Sequence, residues 1–292
     1  MSLKTTFAVH WQYGVATHSG LFQTTNEDRS LLRIGVTDQG EPYAAAAIAD
    51  GMGGSGDGGM ASETALAAVK LWLDEQLPGL LNAGPGWKPL AISAERLFHS
   101  VNGQLIELGK RGGRRIGTTL TLILLLNETY YLCHTGDCRV YKVTRSNRVR
   151  LLTKDQSWAS EQVRKGRLSL QQVRKHPKRH VLLHCLGMQT ELKLIARTGF
   201  YTPNDRFLLC SDGFYDRVTD LGIERILKAE DGAGLGLQPL CDLLLDRALD
   251  RQSNDNISVL MLRPAAARIT PWRRFIHRCK NFYMLFPVEW RK

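Results

Sequence analysis

Residues 50–59 read Asp50-Gly51-Met52-Gly53-Gly54-Ser55-Gly56-Asp57-Gly58-Gly59, between an apolar run at 43–49 and a helical pattern that begins near Met60. The apolar run predicts a buried strand that ends in the carboxylate of Asp50. Six glycines in the next nine residues let the backbone bend tightly, so that its carbonyl or N–H groups can approach a hard cation or a phosphate. A flexible glycine-rich linker has the same composition. The remaining sequence decides between these two interpretations.

Length and charge limit the class of molecule. The chain has 292 residues, of which 43% are hydrophobic, enough for one large folded unit or two small ones. Its net charge of +11 is uneven: residues 139–180 contain 13 Lys or Arg against two acids, and residues 263–292 contain eight against one. The rest of the chain is net acidic, which suits a site that concentrates cations beside a surface that attracts an anionic substrate. Solvated basic surfaces and nucleic-acid binding are the alternatives.

The sequence also predicts a soluble protein that is not exported by the ordinary signal. Residues 1–14 lack the charged and apolar segments of an export signal, and the longest apolar stretch, Leu120–Leu126, is too short to cross a bilayer. The six cysteines form no C-x-x-C pair, and we expect reduced thiols that are buried or incidental. His134 and His184 lie in apolar segments and are expected in the core rather than on zinc.

Hydrophobic periodicity predicts blocks of strands and helices. The connections between the strands of residues 117–153 are too short for anything but antiparallel neighbours, which excludes a βαβ unit and hence a dinucleotide-binding role for the glycine-rich loop. A polar, basic excursion is expected at 156–180. The predicted strands are 7–14, 31–36, 43–49, 119–126, 130–134, 140–143, 149–152, 192–197, 207–210 and 257–262. The predicted helices are 61–77, 91–108, 223–229 and 237–249, with a loop at 81–89.

Three short hydrophobic strands are each bounded by an aspartate beside Gly or Asn, at Asp50-Gly51, Asp212-Gly213 and Asp255-Asn256. A sheet that brings these ends together would pool carboxylates, which repel one another unless cations neutralise them. Oxygen ligands without His or Cys indicate Mg²⁺ or Mn²⁺. Two adjacent acids, Glu27 and Asp28, precede another strand. They form either a solvated turn or a pair with one carboxylate directed at an ion.

The order and wording of these motifs resemble the metal-dependent (PPM-type, type-2C class) Ser/Thr protein phosphatases, in their bacterial style. The resemblance covers residues 7–262, and the ordered set is specific although each motif alone is weak. The matching motifs are Asn26-Glu27-Asp28, Ala49-Asp50-Gly51-Met52-Gly53-Gly54, Gly117-Thr118-Thr119, Gly136-Asp137-Cys138-Arg139, Leu152-Thr153-Lys154-Asp155, His176-Pro177, Leu186-Gly187, Ser211-Asp212-Gly213 and Asp255-Asn256-Ile257-Ser258-Val259.

The resemblance implies an α+β fold in which two antiparallel β-sheets pack as a β-sandwich, flanked by helices on both sides. Residues 1–263 would form the phosphatase domain, with a mobile flap near 156–180. Residues 264–292 lie outside the resemblance and form a basic, aromatic tail. Such a tail could contact an anionic membrane or nucleic acid, or pack on its own domain.

The resemblance further implies a centre of two Mn²⁺ or Mg²⁺ ions at one end of the sandwich. Asp50 would bridge the two ions. Glu27 and the carbonyl of Gly51 would complete one site, and Asp212 with Asp255 would complete the other. The ions would generate a hydroxide that attacks phosphorus in line, without a phosphoenzyme.

Two further aspartates have implied roles beside this centre. Asp28 would orient water, which places it among the catalytic residues with the three metal-binding aspartates Asp50, Asp212 and Asp255. Asp137 with Asp212 would offer a weaker third metal position. Some members of the family have His at the position of Met52 as a candidate general acid, so here water is expected to protonate the leaving alkoxide.

The implied activity is hydrolysis of phosphoserine and phosphothreonine in proteins, opposing a partner Ser/Thr kinase. The family commonly has an arginine at the position of Gln23, where it binds phosphate through a bidentate fork that neutral Gln cannot supply. Arg29, Arg114, Arg115 or a flap residue could compensate. Gln156 replaces a usual His at the start of the flap and is expected to tune specificity.

The loss of the phosphate-binding arginine also motivates a second hypothesis. A pseudophosphatase would bind a phosphoprotein or a kinase without turnover. A nucleic-acid binder that uses the basic segments is a third hypothesis, but no nucleic-acid motif accompanies the charge. The expected partners are therefore a phosphorylated protein substrate and a Ser/Thr kinase, with the chain acting as a monomer.

Overall fold

The computed structural model describes residues 11–53, 57–82, 86–174, 176–231 and 234–264. The strands are β1 Trp11–His18, β2 Asp28–Val36, β3 Pro42–Met52, β4 Gly117–Thr118, β5 Leu120–Leu126, β6 Thr129–Thr135, β7 Arg139–Val143, β8 Val149–Leu151, β9 Ile195–Phe200, β10 Arg206–Cys210 and β11 Ile257–Pro264. The helices are α1 Asp57–Glu75, α2 Leu77–Asn82, α3 Lys88–Gly112, α4 Trp158–Arg164, α5 Leu170–Arg174, α6 Asp212–Tyr215, α7 Asp220–Asp231 and α8 Leu237–Asp250.

The strands form two antiparallel sheets. One has the order β1-β11-β10-β7-β8, and the other has the order β2-β3-β5-β6-β9, with the short β4 paired to the end of β3. The sequence neighbours β5, β6 and β7, β8 are joined by short turns, as their spacing predicts. The first and last described strands, β1 and β11, pair along eight residues, and β1 forms one edge of its sheet.

Strand β3 shows why this sequence has two buried faces. Because side chains alternate along a strand, Ala45 and Ala47 pack with the helices α1 and α3. Ala44, Ala46 and Ile48 point the other way and pack between the sheets. All five residues are fully buried, and the small alanine side chains let layers approach closely on both faces.

Three apolar layers therefore hold the fold together. The first lies between α1–α3 and the sheet that contains β3, the second lies between the two sheets, and the third lies between the other sheet and α6–α8. Burial of this apolar surface is the main stabilising contribution. The predicted α+β sandwich with helices on both sides is confirmed.

Several element boundaries differ from those that the sequence predicts. Helix α1 begins at Asp57, within the glycine-rich stretch, and ends at Glu75. The prediction of a loop across 81–89 is wrong at both ends, because α2 extends to Asn82 and α3 begins at Lys88. In both helices a proline lies in the first turn, where its missing N–H has no helical partner to lose. Strand β9 lies three residues later than the predicted 192–197, since Leu192 and Leu194 pack against the helical layer instead.

Residues 156–180 contain α4 and α5 and lie outside both sheets, as their polar composition predicts. Five of the six cysteines are buried and free, and Cys279 lies outside the described residues. The predicted strand residues 7–10, the loop residues 54–56 and the tail from 265 onward are also outside them. Among the helices of the described ranges, none has the length and apolar character needed to cross a bilayer.

Candidate metal centre

The strand ends bring the predicted acidic residues to one end of the sandwich. Asp28 and Asp50 are directly opposite each other in the β2–β3 register. Asp212 follows β10 and Asp255 precedes β11, and these two strands are neighbours in the other sheet. Asp137 lies in the connection between β6 and β7. Residues far apart in the chain thus meet where the two sheets end.

The carboxylates are close enough to change one another's protonation. Burial raises the pKa of Asp28 to about 7, and the charges of Asp212 and Asp255 add to the rise. Burial also raises the pKa of Asp50 well above its usual range, followed by the charges of Asp28, Asp212, Asp137 and Asp255. The charges of the neighbouring aspartates thus act on the carboxyls of Asp28 and Asp50, which shows that these acids lie close together.

Asp137 belongs to the same group of acids. It is 6% exposed, and burial followed by the charge of Asp212 raises the pKa of its carboxyl well above the usual range. Within the described residues, neither Asp28, Asp50 nor Asp137 has a Lys, Arg or His partner within ion-pair distance. Buried carboxylates of this kind require a cation for all of them to ionise at neutral pH.

The two oxygens of the Asp28 carboxylate have different surroundings. The hydroxyl of Ser211 donates to Asp28 Oδ2 at 2.7 Å and accepts from the Ser258 amide at 2.9 Å. Asp28 Oδ1 is buried and has no hydrogen-bond partner in the part of the chain that the structure describes. An unpaired buried oxygen is costly, and a cation or its water would satisfy it.

The Gly117-Thr118-Thr119 motif holds the backbone of Asp50. The Asp50 amide donates to the Thr119 hydroxyl at 2.8 Å, and the Asp50 carbonyl accepts from the Thr119 amide at 2.8 Å and the Thr118 hydroxyl at 2.9 Å. Both threonines are fully buried. The motif therefore fixes the strand end that presents the carboxylate.

Glu27 meets the start of the glycine-rich stretch. A Cβ at Gly58 would lie 2.5 Å from Glu27 Oε2 and 2.7 Å from the carbonyl oxygen of Gly51. Both oxygens are therefore near one backbone position that only glycine tolerates. The Ser62 hydroxyl donates to the Glu27 carbonyl at 2.5 Å, which ties the first turns of α1 to this corner.

Asn256 connects this corner to the second sheet. Its side-chain oxygen accepts from the Glu27 amide at 2.7 Å, and its amide donates to the carbonyls of Ser19 at 2.9 Å and Thr25 at 3.0 Å. Asn256 is 7% exposed. One side chain thus positions both ends of the loop that carries Gln23.

Gln156 has a structural role at the opposite corner. Its side-chain oxygen accepts from the Gly136 amide at 2.8 Å and the Thr135 hydroxyl at 3.1 Å, and its amide donates to the Lys193 carbonyl at 2.8 Å. It is buried and braces the backbone just before Asp137. The predicted effect on specificity stays a prediction.

Sequence reasoning missed the groups around Asp212. His180 Nδ1 lies 3.3 Å from Asp212 Oδ2 and its Nε2 lies 3.8 Å from Asp216 Oδ2, and the hydrogen bond with Asp212 raises the pKa of His180. Asp216 follows Asp212 by four residues, a spacing that puts both on one side of a helical turn. No sequence signal indicated His180, because its contact depends on the path of residues 156–180.

Arg139 is fully engaged nearby. Its guanidinium bonds both oxygens of Asp155 and lies 3.7 Å from the centre of the Tyr215 ring. This pairing explains why the Gly136-Asp137-Cys138-Arg139 and Leu152-Thr153-Lys154-Asp155 motifs occur together. Arg139 is a scaffold residue in this arrangement.

The donor set fits hard divalent ions. It consists of carboxylate and carbonyl oxygens, with one buried oxygen unsatisfied. Within the described ranges, no three Asp, Glu, His or Cys side chains already lie close enough together to hold one metal ion. Carboxylates that share an ion would therefore move closer to it or reach it through bound waters, which Mg²⁺ usually retains.

An antiparallel sandwich that pools aspartates at one end has the class of fold and oxygen-donor site that suits divalent cations. The family profile of "Protein phosphatase 2C" matches residues 22–234. The chain belongs to this family. The predicted resemblance and the predicted enzyme class, protein-serine/threonine phosphatase, are confirmed at the level of the family.

Individual relatives agree with the family assignment. The chain is 29% identical over 253 residues to the serine/threonine phosphatase stp of Listeria welshimeri, covering 84% of this chain and 93% of that protein. The S. agalactiae serine/threonine phosphatase has the same fold, with a TM-score of 0.76 and 21% identity over 88% of this chain and 100% of that one. The catalytic domain of PstP, a Mycobacterium tuberculosis phosphatase, was solved with two manganese ions. It is 26% identical, with a TM-score of 0.70 over 87% of this chain and 97% of that chain.

Proposed function

We propose that this chain hydrolyses phosphoserine and phosphothreonine in proteins with the help of two divalent metal ions. The convergence of Asp28, Asp50, Asp137, Asp212 and Asp255 carries this proposal. These carboxylates depend electrostatically on one another, so their arrangement costs free energy unless cations bind there. The manganese ions of the PstP structure support the same chemistry.

The proposed metal ligands divide between the two sheets. Asp50, near the end of β3, would contribute to holding both ions. Glu27 and the Gly51 carbonyl would hold one ion, supported by the approach of both oxygens to Gly58. Asp212 and Asp255 would hold the other ion from the neighbouring ends of β10 and β11.

When bound, the two ions, Mn²⁺ or Mg²⁺, would supply a hydroxide near neutral pH and offset charge on the phosphoryl oxygens. Asp28 orients water through its unpaired Oδ1, because Ser211 holds its other oxygen. Asp137 with Asp212 offers a weaker third cation position. Met52 has no proton to donate at the position where some members of the family have His, so water protonates the leaving alkoxide.

The biological setting that we propose follows from this chemistry. The substrate is a phosphorylated protein, the opposing enzyme is a Ser/Thr kinase, and the chain acts as a cytoplasmic monomer without specific nucleic-acid binding. Residues 156–180 act as a flap beside the site, and His180 lies at their end in contact with Asp212. The division into a domain of residues 1–263 and a tail of residues 264–292 stays a prediction, and β11 extends to Pro264.

A pseudophosphatase is the second candidate, and Gln23 is the observation that favours it. Gln23 is exposed on the loop beside Asp255, where it offers no charge for a phosphate. A protein that binds metal and a phosphopeptide but does not turn it over would have this second function.

Turnover of a phosphothreonine peptide tests the proposal. We expect hydrolysis with Mn²⁺, loss of activity with a chelator, and loss of activity in Asp50→Asn. Binding of Mn²⁺ without turnover would favour the pseudophosphatase. A steep decrease of oligonucleotide affinity with salt would instead indicate a nucleic-acid binder.

A further inference from the structure

The substrate's phosphoryl group needs a cationic contact that Gln23 does not provide. A phosphoryl dianion is bound best by an arginine that donates two parallel hydrogen bonds. Gln23 is exposed and neutral. If the proposed function holds, another residue near Asp50 supplies this contact, and the structure distinguishes among the available arginines.

Three nearby arginines are already engaged. Arg29 donates to the carbonyls of Asn26 at 2.7 Å and Asp28 at 2.8 Å. Arg114 pairs with the buried Asp57 at 2.7 Å, which fixes the start of α1. Arg139, described above, is bound by Asp155 and Tyr215. Each of these side chains is held by a structural contact that restricts where its guanidinium can reach.

Arg115 differs from these three. It is exposed, and within the described residues its side chain has neither a hydrogen bond nor an ion-pair partner. It precedes Ile116, which is fully buried in the helical layer. Because neighbouring residues of an extended segment point in opposite directions, the burial of Ile116 directs Arg115 outward.

The position of Arg115 is set by the strand that holds the metal-binding residues. Two residues after Arg115, Gly117 pairs with Met52, and Thr118 pairs with Gly51. Arg115 therefore stands at the rim of the same short ladder. A rigid strand end is a precise support for a ligand-binding side chain.

Cys185 packs beside Met52 at the end of this ladder, since the Cys185 Sγ is 3.8 Å from the Met52 Sδ. Burial raises the pKa of Cys185 to about 12, the charge of Asp137 adds to the rise, and the charge of Arg115 opposes it. The opposing effect of Arg115 agrees with its placement at this rim by the β3–β4 register.

We propose that Arg115 binds the phosphoryl group of the substrate and takes the role of the arginine that is absent at Gln23. The free guanidinium approaches from the β4 side of the centre, whereas Gln23 lies on the loop next to Asp255. The substrate phosphate would thus be bound between the carboxylate-held ions and a cation from the opposite rim.

Arg179 is the competing residue. It is exposed in the segment 156–180, and its charge acts on His180 and Asp216. It precedes His180, which lies 3.3 Å from Asp212, so it stands on the α6 side of the site. A role for Arg179 in place of Arg115 is a separate outcome of the test.

The test compares Arg115→Gln with Arg111→Gln, a matched control that removes the same charge from an exposed arginine paired with Glu107 on α3. With a phosphothreonine peptide and Mn²⁺, we expect Arg115→Gln to raise KM and the inhibition constant of inorganic phosphate by about 10- to 100-fold. The kcat should change much less, and Arg111→Gln should behave like the wild type. Arg115→Lys should recover part of the loss, because it restores charge but not the fork.

A rescue experiment makes the assignment specific. Adding Gln23→Arg to Arg115→Gln should restore a low KM, because a guanidinium that can donate two hydrogen bonds to phosphate is then present on the loop that carries position 23. An unchanged KM in Arg115→Gln, or a raised KM only in Arg179→Gln, would overturn the inference while leaving the phosphatase activity established. If the wild type shows no turnover, the proposed function fails, and the affinity of the metal-loaded proteins for a labelled phosphothreonine peptide still tests Arg115.

Discussion

Strand β3 passes through two contrasting regions of the molecule. At Ile48 the strand lies between the sheets, where a fully buried apolar side chain packs against apolar neighbours. At Asp50, two residues later on the same face, the strand presents a carboxylate to other carboxylates. The first region stabilises the fold, and the second opposes it unless cations are bound. A single strand therefore carries both the stability of the domain and its chemistry.

The largest effect should come from the carboxylate itself. Asp50→Asn should lower kcat/KM by about 1000-fold or more, equivalent to about 4 kcal/mol of transition-state stabilisation. The same change should make the chelator-treated protein more stable, because it removes one of several repelling charges. Peptide turnover and urea unfolding measure the two effects. An Asp50→Asn protein that keeps its activity and is less stable than the wild type in chelator would contradict this contrast between Ile48 and Asp50.

Ile48→Ala should lower stability without lowering the activity of the folded protein. Removing this buried side chain should reduce the free energy of unfolding by about 3 kcal/mol, while the folded protein keeps its kcat/KM. Urea unfolding with activity normalised to the folded fraction checks this. Ile92→Ala on the exposed side of α3 is the control and should change stability by no more than about 0.5 kcal/mol.

Ser211→Ala tests the link between the two regions. It removes the hydroxyl that bonds Asp28 and leaves the Ser258 amide unpaired, so stability should fall by about 1–2 kcal/mol. Activity should fall as well, because Asp28 loses its fixed orientation. Ser146→Ala, at an exposed turn, is the matched control. Equal results for the two variants would show that Ser211 does not position Asp28.

The last effect concerns pH and is expected only when no metal is bound. Because the folded-state pKa of Asp28 is raised to about 7 from 3.8, protonation favours the folded state. This contribution is complete below the unfolded pKa and is lost as pH rises through about 7. In chelator, the melting temperature should fall by about 5–10 °C between about pH 5 and pH 8. Added Mn²⁺ should offset the fall, and Asp50→Asn should reduce it, whereas Ile48→Ala should show the wild-type dependence.

The contrast also explains what could be predicted from the sequence. The apolar run at 43–49, the short connections of residues 117–153 and the recurrence of aspartate beside Gly or Asn are local patterns, so buried antiparallel strands and pooled acids were predictable. Motif order supplied the family and, with it, the sandwich, which periodicity alone does not determine.

Other features depend on tertiary contacts and were not predictable. The contact of His180 with Asp212 depends on the path of residues 156–180, and the bracing of Gly136 by Gln156 depends on a side chain that reaches across a loop. Helix α2 begins immediately after α1, because Leu77 is fully buried against the helical layer. Whether an arginine such as Arg115 has a side-chain partner depends on the tertiary structure and cannot be predicted from the sequence.

Anomalous diffraction at the manganese edge, from crystals of the wild type and of Asp50→Asn grown with Mn²⁺, tests the central claim most directly. We predict two strong peaks in the wild type, both within ligand distance of the Asp50 carboxylate, with Glu27 and Gly51 on one side and Asp212 and Asp255 on the other. In Asp50→Asn at least one peak should be lost. Manganese bound only elsewhere on the surface, or an empty acidic pocket in a protein that still turns over the peptide, would contradict the account.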